Sequence, residues 1–407
     1  MALTVQKYGG TSVGTLERIR NVAQRSIETQ RSGSNVVVVV SAMAGETNRL
    51  LTMAQELSPT PSPRETDVLV STGEQVSIAL LAIAIQAAGG KAASFLGDQI
   101  GMKTDNHHGK ARILSVNDQP IRTALDTGNI VVVAGFQGVD AAGDITTLGR
   151  GGSDTTAVAL AAALQADCCE IFTDVDGIYT TDPNICPDAQ RIPRISYEEM
   201  LEMSSLGAKV LQVRSVEFAM NHCVPIHVRS SFTDRDGSWV VQEDEAMESV
   251  RVRGVTCDNQ TAKVTLRNVP DQPGTVAQVF TPLAEAGVNV DVILQNVSEE
   301  GSTDVTFTVG RSDVNEARAI IERVIANVGT DGLNIDDRVA KVSLVGAGMR
   351  SHAGVAARAF QVLGEAGINI QMINTSEIKI SCVIHENDAN RAVQLLHAAF
   401  ELGNESK

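Results

Sequence analysis

The sequence lacks the features that mark secreted, disulfide-bonded and membrane-spanning proteins. Its six cysteines form no Cys-x-x-Cys pair and no His/Cys cluster with zinc spacing, so we expect reduced thiols, a cytoplasmic protein and no protein-held metal. The uninterrupted apolar runs, such as Val36–Val40, are far too short to span a membrane, and we expect no membrane partner. The first residues lack a basic segment followed by an apolar one, so no secretory signal is predicted.

Positive charge is also scarce. The chain has 33 Lys and Arg residues against 49 Asp and Glu residues, which gives a formal net charge of −16. Nucleic acids bind to basic surface stripes, so we expect no nucleic-acid partner. Small anions can still bind, because their affinity depends on local groups rather than on net charge.

The first part of the chain alternates strand and helix patterns. Val36–Val40 and Ile130–Ala134 are short β-branched runs, and Glu170–Thr173 is a less apolar third candidate. Such runs are typical of parallel strands that are buried on both faces. Helical spacing of apolar residues lies between them, as in Leu16–Ile27. The pattern therefore predicts a doubly wound α/β fold with a mainly parallel sheet.

The last part of the chain contains an internal repeat. Acidic residues replace apolar periodicity in Phe232–Ser249, which indicates a domain boundary. Beyond it, Pro273–Asp291 aligns without gaps to Ala353–Gln371 at an offset of 80 residues, with eight identical positions. Each copy reads as a helix opened by glycine, an Ala-Gly stop and a strand. Duplication of one module is the simplest explanation.

Two glycine-rich segments precede predicted helices and can cradle an anion. In Lys7–Ser12, two glycines allow close backbone approach and the lysine offers a point charge for phosphate. The lysine precedes the glycines, so this is not a Walker motif, and a tight turn beside a solvated lysine is an open alternative. In Leu148–Thr156, Arg150 can grip a carboxylate, whereas Asp154 can equally be a helix-start residue.

Three further segments are weaker candidates when each is taken alone. Ser41–Asn48 follows the valine strand, at the end of a strand where α/β folds bind ligands. Thr173–Pro183 follows the third strand, although Asp-Gly and Asp-Pro turn chemistry also explains it. Lys209 lies in Gly207–Leu211, just inside a helical run, where a lysine is commonly solvated.

The order of these motifs carries more information than any one of them. With Ser71–Glu74, they resemble the aspartate kinases of the amino-acid kinase superfamily, and the repeat is similar to the tandem ACT modules of those enzymes. The resemblance implies a doubly wound kinase domain followed by two ferredoxin-like βαββαβ modules. We expect four segments: a kinase domain at 1–240, a linker at 241–260, a first ACT domain at 261–335 and a second at 336–407.

The resemblance implies an ATP:L-aspartate phosphotransferase that makes 4-phospho-L-aspartate with Mg²⁺ on the nucleotide, at the start of lysine, threonine and methionine biosynthesis. Three catalytic residues would serve the transfer: Lys7 would stabilise the transferring phosphoryl group, Lys209 would neutralise the nucleotide phosphates and Asp154 would hold the lysines. Aspartate would be bound by Ser41, Thr47, Glu74, Arg150 and Ser153. The nucleotide would be bound by Lys7, Gly9, Gly10, Thr173, Asp174, Tyr179, Asp182 and Lys209.

The resemblance also implies inhibition by threonine, by lysine or by both at the ACT modules. The effector sites would involve Asp271, Gly274, Asn289, Val290, Asp291, Gln295, Ser351, Asn369, Ile370, Asn374, Thr375 and Glu377. ACT modules usually pair edge to edge, so we expect a homodimer through them. Met247 at the domain boundary is a candidate internal start, which would give an α2β2 assembly.

The expected chemistry needs no general base. A carboxylate nucleophile is ionised at neutral pH, so the enzyme chiefly positions two anions and stabilises spreading negative charge. Asn184 departs from the family pattern, in which many relatives carry an arginine that touches phosphate, and weaker ATP binding is one expected consequence. Glutamate or acetylglutamate kinases and a non-catalytic amino-acid sensor are the competing interpretations.

Overall fold

The computed structural model describes residues 2–208, 210–244, 252–296, 301–350, 352 and 354–403. Lys209, Met247 and Ser351, which the sequence singled out, lie outside the described residues. The chain divides into two compact units. The first holds the described residues up to Tyr179, Arg191–Ser205 and the described stretch that ends at 244. The second holds Thr180–Gln190, Leu206–Ala208 and the described residues from 252 onward.

The first unit alternates strands and helices along the chain. Its strands are β1 (Ala2–Tyr8), β2 (Ser34–Val40), β3 (Ala92–Phe95), β4 (Lys103–Thr104), β5 (Ile113–Ser115), β6 (Ile130–Ala134), β7 (Gln137–Val139), β8 (Ile145–Thr147), β9 (Cys168–Thr173), β10 (Ile178–Tyr179), β11 (Arg191–Ile192), β12 (Arg194–Ser196), β13 (Ile226–Ser230) and β14 (Ser238–Val241). Its helices are α1 (Leu16–Arg31), α2 (Glu46–Leu57), α3 (Pro63–Ala87), α4 (Gln119–Asp126), α5 (Gly152–Leu164), α6 (Tyr197–Ser205) and α7 (Val213–His222).

The main sheet of this unit has eight strands in the order β12-β14-β13-β9-β1-β2-β6-β3. All its neighbouring pairs run parallel except β13 and β14. Val36, Val38 and Val40 of β2 share an apolar core with α1 and α3, while α5 contacts β1, β2 and β9. β-Branched residues suit such strands because both of their faces are buried. The predicted doubly wound, mainly parallel α/β fold is confirmed.

Helix α3 is the longest helix in the part of the chain that the structure describes. It is the one described helix long and apolar enough to cross a membrane, and half of its most apolar stretch is buried inside the protein. Pro63 lies in its first turn, where a missing N–H costs nothing. Its buried face carries two acidic residues, Asp67 and Glu74, which lie 1% and 3% exposed. Acidic side chains are rarely buried to this extent unless they are paired, so both need partners in the protein or a ligand.

The second unit contains two small modules. Its strands are β15 (Gly254–Asp258), β16 (Thr261–Pro270), β17 (Val290–Gln295), β18 (Ser302–Gly310), β19 (Gly332–Asp336), β20 (Val339–Val345), β21 (Met372–Thr375) and β22 (Lys379–His385). Its α-helices are α8 (Thr275–Glu285), α9 (Val314–Val328), α10 (Val355–Glu365) and α11 (Ala389–Ala399). Single 3₁₀ turns occur at Arg311–Asp313, Ala347–Arg350 and Glu386–Asp388.

The duplication seen in the sequence is present in the fold. Helices α8 and α10 have the same length, begin 80 residues apart and are both preceded by glycine in the left-handed region, Gly274 at φ 92° and Gly354 at φ 99°. The first module has the predicted βαββαβ order, with its sheet arranged β17-β18-β16-β19. Each module has its own apolar core between sheet and helices.

The second module differs from the predicted βαββαβ order in the origin of one strand. Its sheet is β15-β20-β22-β21, and β15 pairs antiparallel with β20, from Gly254 opposite Val345 to Asp258 opposite Lys341. The range 241–260, predicted as a linker, therefore supplies the edge strand that a βαββαβ module would take from its C-terminus. The short run Gly254–Asp258 has too little apolar periodicity for the sequence alone to predict a strand there.

We predict that Val255 in β15 stabilises the second module as a core residue does. Val255 is fully buried, so Val255→Ala should lower the free energy of unfolding by about 2 kcal/mol through lost transfer energy and a cavity. Exposed Gln260, five residues later, gives the control Gln260→Ala, which should change it by less than about 0.5 kcal/mol. Urea unfolding followed by circular dichroism measures both. If both variants changed the free energy of unfolding by the same negligible amount, the segment 241–260 would behave as a linker.

Candidate active site

One pocket of the first unit gathers the predicted substrate-binding residues together with Lys7 and Asp154. It has a volume of about 370 Å³ and lies where the loops after β1 and β2 meet α3 and the start of α5. Ligands of open α/β sheets bind at this end of the strands. The pocket is lined by Lys7, Gly10, Ser41, Ala42, Met43, Ala44, Gly45, Thr47, Asn48, Glu74, Phe136, Gly149, Arg150, Gly151, Gly152, Ser153 and Asp154.

Lys7 and Asp154 form an ion pair in this pocket. Lys7 is the penultimate residue of β1, and Asp154 lies in the first turn of α5, where the helix dipole favours negative charge. The Lys7 Nζ lies 2.6 Å from Asp154 Oδ1, and the two side chains are only 12% and 9% exposed. Oδ1 accepts no well-directed hydrogen bond from the described residues, so the contact is electrostatic. The pair holds the ammonium in place without occupying all of its donors.

Two glycines allow the walls of the pocket to approach each other closely. A Cβ on Gly10 would lie 2.9 Å from the Ala42 carbonyl oxygen, and one on Gly73 would lie 2.7 Å from the Ala42 Cβ. The Ala44 N–H donates to the Gly10 carbonyl at 3.1 Å. The loops after β1 and β2 and helix α3 are thus packed at backbone distance, which only glycine permits. A Cβ on Gly9 would lie 3.5 Å from the Lys7 Nζ, but Gly9 does not line the pocket.

Glu74 is a buried carboxylate with one oxygen left over. Its Oε1 accepts a 2.9 Å hydrogen bond from the Ala42 N–H, while its buried Oε2 has no hydrogen-bond partner among the described residues. Burial raises the pKa of Glu74 to about 7, and the Ala42 N–H opposes that rise. An unsatisfied buried carboxylate oxygen costs free energy, so its presence in a pocket indicates a cationic or hydrogen-bond-donating ligand.

Arg150 stands on the loop between β8 and α5. Gly149 and Gly151 on either side adopt φ angles of 76° and 70°, in the left-handed region that glycine tolerates. The Arg150 side chain is exposed and has no ion pair or hydrogen bond with the residues that the structure describes. A guanidinium left free at the rim of a pocket can bind a carboxylate through two parallel hydrogen bonds.

The structure brings together the predicted substrate residues Ser41, Thr47, Glu74, Arg150 and Ser153 in this pocket. Phe136 is a lining residue that the motifs did not indicate. It has a φ of 70°, which is unusual for a bulky residue, and its N–H is held by Thr156 Oγ1 at 3.1 Å. No sequence signal identifies it, because its position follows from the turn between β6 and β7.

The predicted nucleotide residues are divided between the two units. Thr173, Asp174 and Tyr179 belong to the first unit, in and after β9, and Tyr179 donates to Asp176 Oδ1 at 2.6 Å. Asp182 belongs to the second unit, where its Oδ1 accepts from the Asn184 N–H at 2.8 Å. None of these four residues lines the pocket described above.

The predicted effector residues all fall in the second unit, apart from Ser351, which is outside the described residues. Asp271 and Gly274 precede α8, and Asn289 lies just before β17, which carries Val290, Asp291 and Gln295. The matching positions of the second module are Asn369 and Ile370 before β21, Asn374 and Thr375 within it, and Glu377 after it. Asp291 is already engaged, because its Oδ2 pairs with the buried ammonium of Lys341 in β20.

The pocket offers few ligands to a metal ion. Of the described residues that line it, Glu74 and Asp154 carry carboxylates, and Asp154 is paired with Lys7. Such a donor set fits an Mg²⁺ ion that is held chiefly by nucleotide phosphates and water rather than by a protein cage. Elsewhere, the ligand atoms of His108, Asp140 and Asp144 lie within 4.8 Å of one another, but Asp144 is paired with Arg64.

Models of known families match three parts of the chain. The amino acid kinase family matches residues 2–230, which is more than half of the chain. Two ACT domain models match residues 264–326 and 342–400. The three matches coincide with the kinase-like sheet and with the two modules of the second unit.

Curated relatives and solved structures agree with these matches. An aspartokinase of Pseudomonas aeruginosa is 54% identical over 404 residues, covering 99% of this chain and 98% of the relative. An aspartate kinase of Stutzerimonas stutzeri is also 54% identical, with the same coverage. The crystal structure of E. coli aspartokinase III with aspartate and ADP is 28% identical, has a TM-score of 0.83 and covers 98% of this chain and 99% of that one. The chain belongs to the aspartokinases of the amino acid kinase family and is an enzyme of that class.

Proposed function

We propose that the first unit transfers the γ-phosphoryl group of ATP to the side-chain carboxylate of L-aspartate, giving 4-phospho-L-aspartate and ADP. The observation that carries this proposal is the buried oxygen of Glu74 that has no partner among the described residues, in a pocket that also holds the Lys7–Asp154 pair and Arg150, which none of those residues pairs with. An amino acid presents an ammonium and an α-carboxylate at fixed separation. A carboxylate and a guanidinium complement those two groups, and the lysine is left for the phosphoryl group.

The substrate groups are assigned by charge. Glu74 receives the aspartate ammonium, which satisfies Oε2 and repays the cost of burying a carboxylate. Arg150 grips the α-carboxylate, and Ser153 beside it adds a hydrogen bond at the α5 N-terminus. Ser41, just after β2, and Thr47, in the first turn of α2, complete the aspartate site. This arrangement leaves the side-chain carboxylate as the reacting group.

The transfer step needs positioning rather than proton abstraction. An aspartate carboxylate oxygen attacks the γ-phosphorus, a new O–P bond forms, and the bond from the γ-phosphorus to the β–γ bridging oxygen breaks with its electron pair, releasing ADP. Lys7 stabilises the negative charge on the transferring group, and Asp154 holds the Lys7 ammonium in position. Gly10 and Gly9 let the nucleotide approach the backbone beside it. Lys209, outside the described residues, would neutralise the nucleotide phosphates.

The nucleotide would be bound by Thr173, Asp174, Tyr179 and Asp182. The E. coli aspartokinase III structure contains ADP with aspartate, which supports a nucleotide site in this fold. Mg²⁺ bound to the phosphates would supply positive charge against the developing negative charge. Asn184 replaces an expected phosphate-binding arginine and donates to Asp182 instead, so its contribution to ATP binding would be weak.

The second unit is proposed to sense pathway end products. A related structure, E. coli aspartokinase III, contains lysine with aspartate in a T-state, is 29% identical and has a TM-score of 0.77. By that likeness, lysine, threonine or both would bind the module residues given above and inhibit the first step of lysine, threonine and methionine biosynthesis. The six unpaired cysteines support a reduced cytoplasmic setting. The chain would act as a dimer through its ACT modules, or as α2β2 if Met247 is an internal start.

The proposal is tested by ADP release from the purified full chain with Mg·ATP and each of three acceptors: L-aspartate, L-glutamate and N-acetylglutamate. Each reaction is repeated with lysine, with threonine and with both. We expect ADP release with aspartate and not with the other two acceptors. Lysine, threonine or their combination should suppress that release. Turnover with another acceptor would reassign the substrate. If the chain bound lysine or threonine but released no ADP with any acceptor, it would be a non-catalytic amino-acid sensor.

We predict a pH dependence that belongs to Glu74. Because its pKa is raised to about 7, the free enzyme is largely protonated there below that pH and loses its attraction for the aspartate ammonium. The KM for aspartate should therefore fall as the pH rises from about 6 to 8, while the KM for ATP stays level. In Glu74→Gln, the KM for aspartate should be higher and flat across that range. A wild-type KM that rises with pH would contradict the assignment.

A further inference from the structure

A second buried carboxylate lies on the same face of α3 as Glu74. Asp67 precedes Glu74 by seven residues, two helical turns, and both side chains are almost fully buried. Asp67 does not line the pocket. A buried carboxylate that does not contact a ligand needs hydrogen-bond donors from the protein itself.

Asp67 accepts hydrogen bonds from two other segments of the first unit. The Thr147 N–H and Oγ1 donate to it at 3.1 and 2.5 Å. The Gly109 N–H lies 3.0 and 3.1 Å from its two oxygens, and His108 Nδ1 is 2.8 Å from Oδ2. Backbone N–H groups and a hydroxyl are donors that an ionised carboxylate, which only accepts, can satisfy together.

These contacts hold the base of the loop that carries Arg150. Thr147 ends β8, and three residues later the chain reaches Arg150. The loop of Gly109 is pressed against the same segment, because a Cβ on Gly149 would lie 2.8 Å from the Gly109 carbonyl oxygen. On its other side, the Leu148 carbonyl accepts from Arg214 at 2.5 Å.

Arg150 itself has no partner among the described residues, so its place depends on the loop beneath it. Helix α3 therefore reaches both ends of the proposed amino-acid site. It carries Glu74 directly, and it anchors the base of the Arg150 loop through Asp67.

We propose that Asp67 is a positioning residue of the aspartate site: through Thr147 it sets the separation between Glu74 and Arg150. The inference rests on the proposed function of those two residues as the ammonium and carboxylate ends of the site. A misplacement of about 1 Å between binding groups lowers the rate by up to about a hundredfold. The fixed spacing of Asp67 and Glu74 along one helix would therefore keep the two binding groups at the distance that a short amino acid requires.

The test is Asp67→Asn in the full chain. Asparagine has one accepting oxygen, and its NH₂ would face the N–H donors of Thr147 or Gly109. We expect the KM for aspartate to rise by about tenfold or more while the KM for ATP changes by less than about twofold. A residue that merely stabilises the fold would lower the melting temperature without separating the two KM values.

Two matched comparisons keep the test decisive. Glu65→Gln makes the same chemical change on the exposed side of the same helix and should alter neither KM. If Asp67→Asn does not fold, Thr147→Val removes one donor to Asp67 and should raise the KM for aspartate, whereas Thr147→Ser, which keeps the hydroxyl, should restore it.

Equal changes in both KM values, or no change in the KM for aspartate in both Asp67→Asn and Thr147→Val, would overturn the positioning role. Failure of the wild-type chain to use aspartate is a separate outcome that would overturn the proposed function instead. The two failures are therefore distinguishable from the same set of assays.

Discussion

The ion pair between Lys7 and Asp154 joins residues that are far apart in sequence and are brought together by the sheet. β1 lies at the centre of the eight-stranded sheet, and α5 packs across its neighbours, so the pair fixes the start of α5 above the end of β1. Both charges are mostly buried, and removal of either partner would leave the other uncompensated at a cost of about 3–5 kcal/mol. The pair lies in the pocket, beside the loops after β1 and β2 and the start of α5.

Helix α3 is the second element on which the site depends. Its apolar face belongs to the main core, and the same buried surface carries Glu74 into the pocket and Asp67 beneath the neighbouring loop. Gly73 removes the side chain that would keep the helix away from Ala42. A rigid core helix thus supplies the carboxylate that a mobile loop would hold less accurately. The cost of burying Glu74 is visible in its raised pKa.

Sequence patterns predicted the parallel sheet and most of the residues that line the pocket. They did not predict one lining residue, one buried carboxylate and one strand of the second module. Val36–Val40 and the glycine motifs were readable because buried strands and anion-binding turns restrict residue type. Three features were missed because each depends on tertiary contacts. Phe136 reaches the pocket through an unusual backbone conformation, Asp67 acts through a loop eighty residues away, and β15 completes the second module from a segment with little periodicity.

If Asp154 acts through Lys7 rather than on the substrate, the effects of removing the two side chains on kcat should not multiply, and a double-mutant cycle measures this. Lys7→Ala should lower kcat by about a hundred- to a thousandfold, and Asp154→Asn by less. In the double variant, the loss should equal that of Lys7→Ala alone, because the ammonium with which Asp154 pairs is already absent. If the two losses instead multiply, Asp154 has an independent role in the transfer and the claim is contradicted.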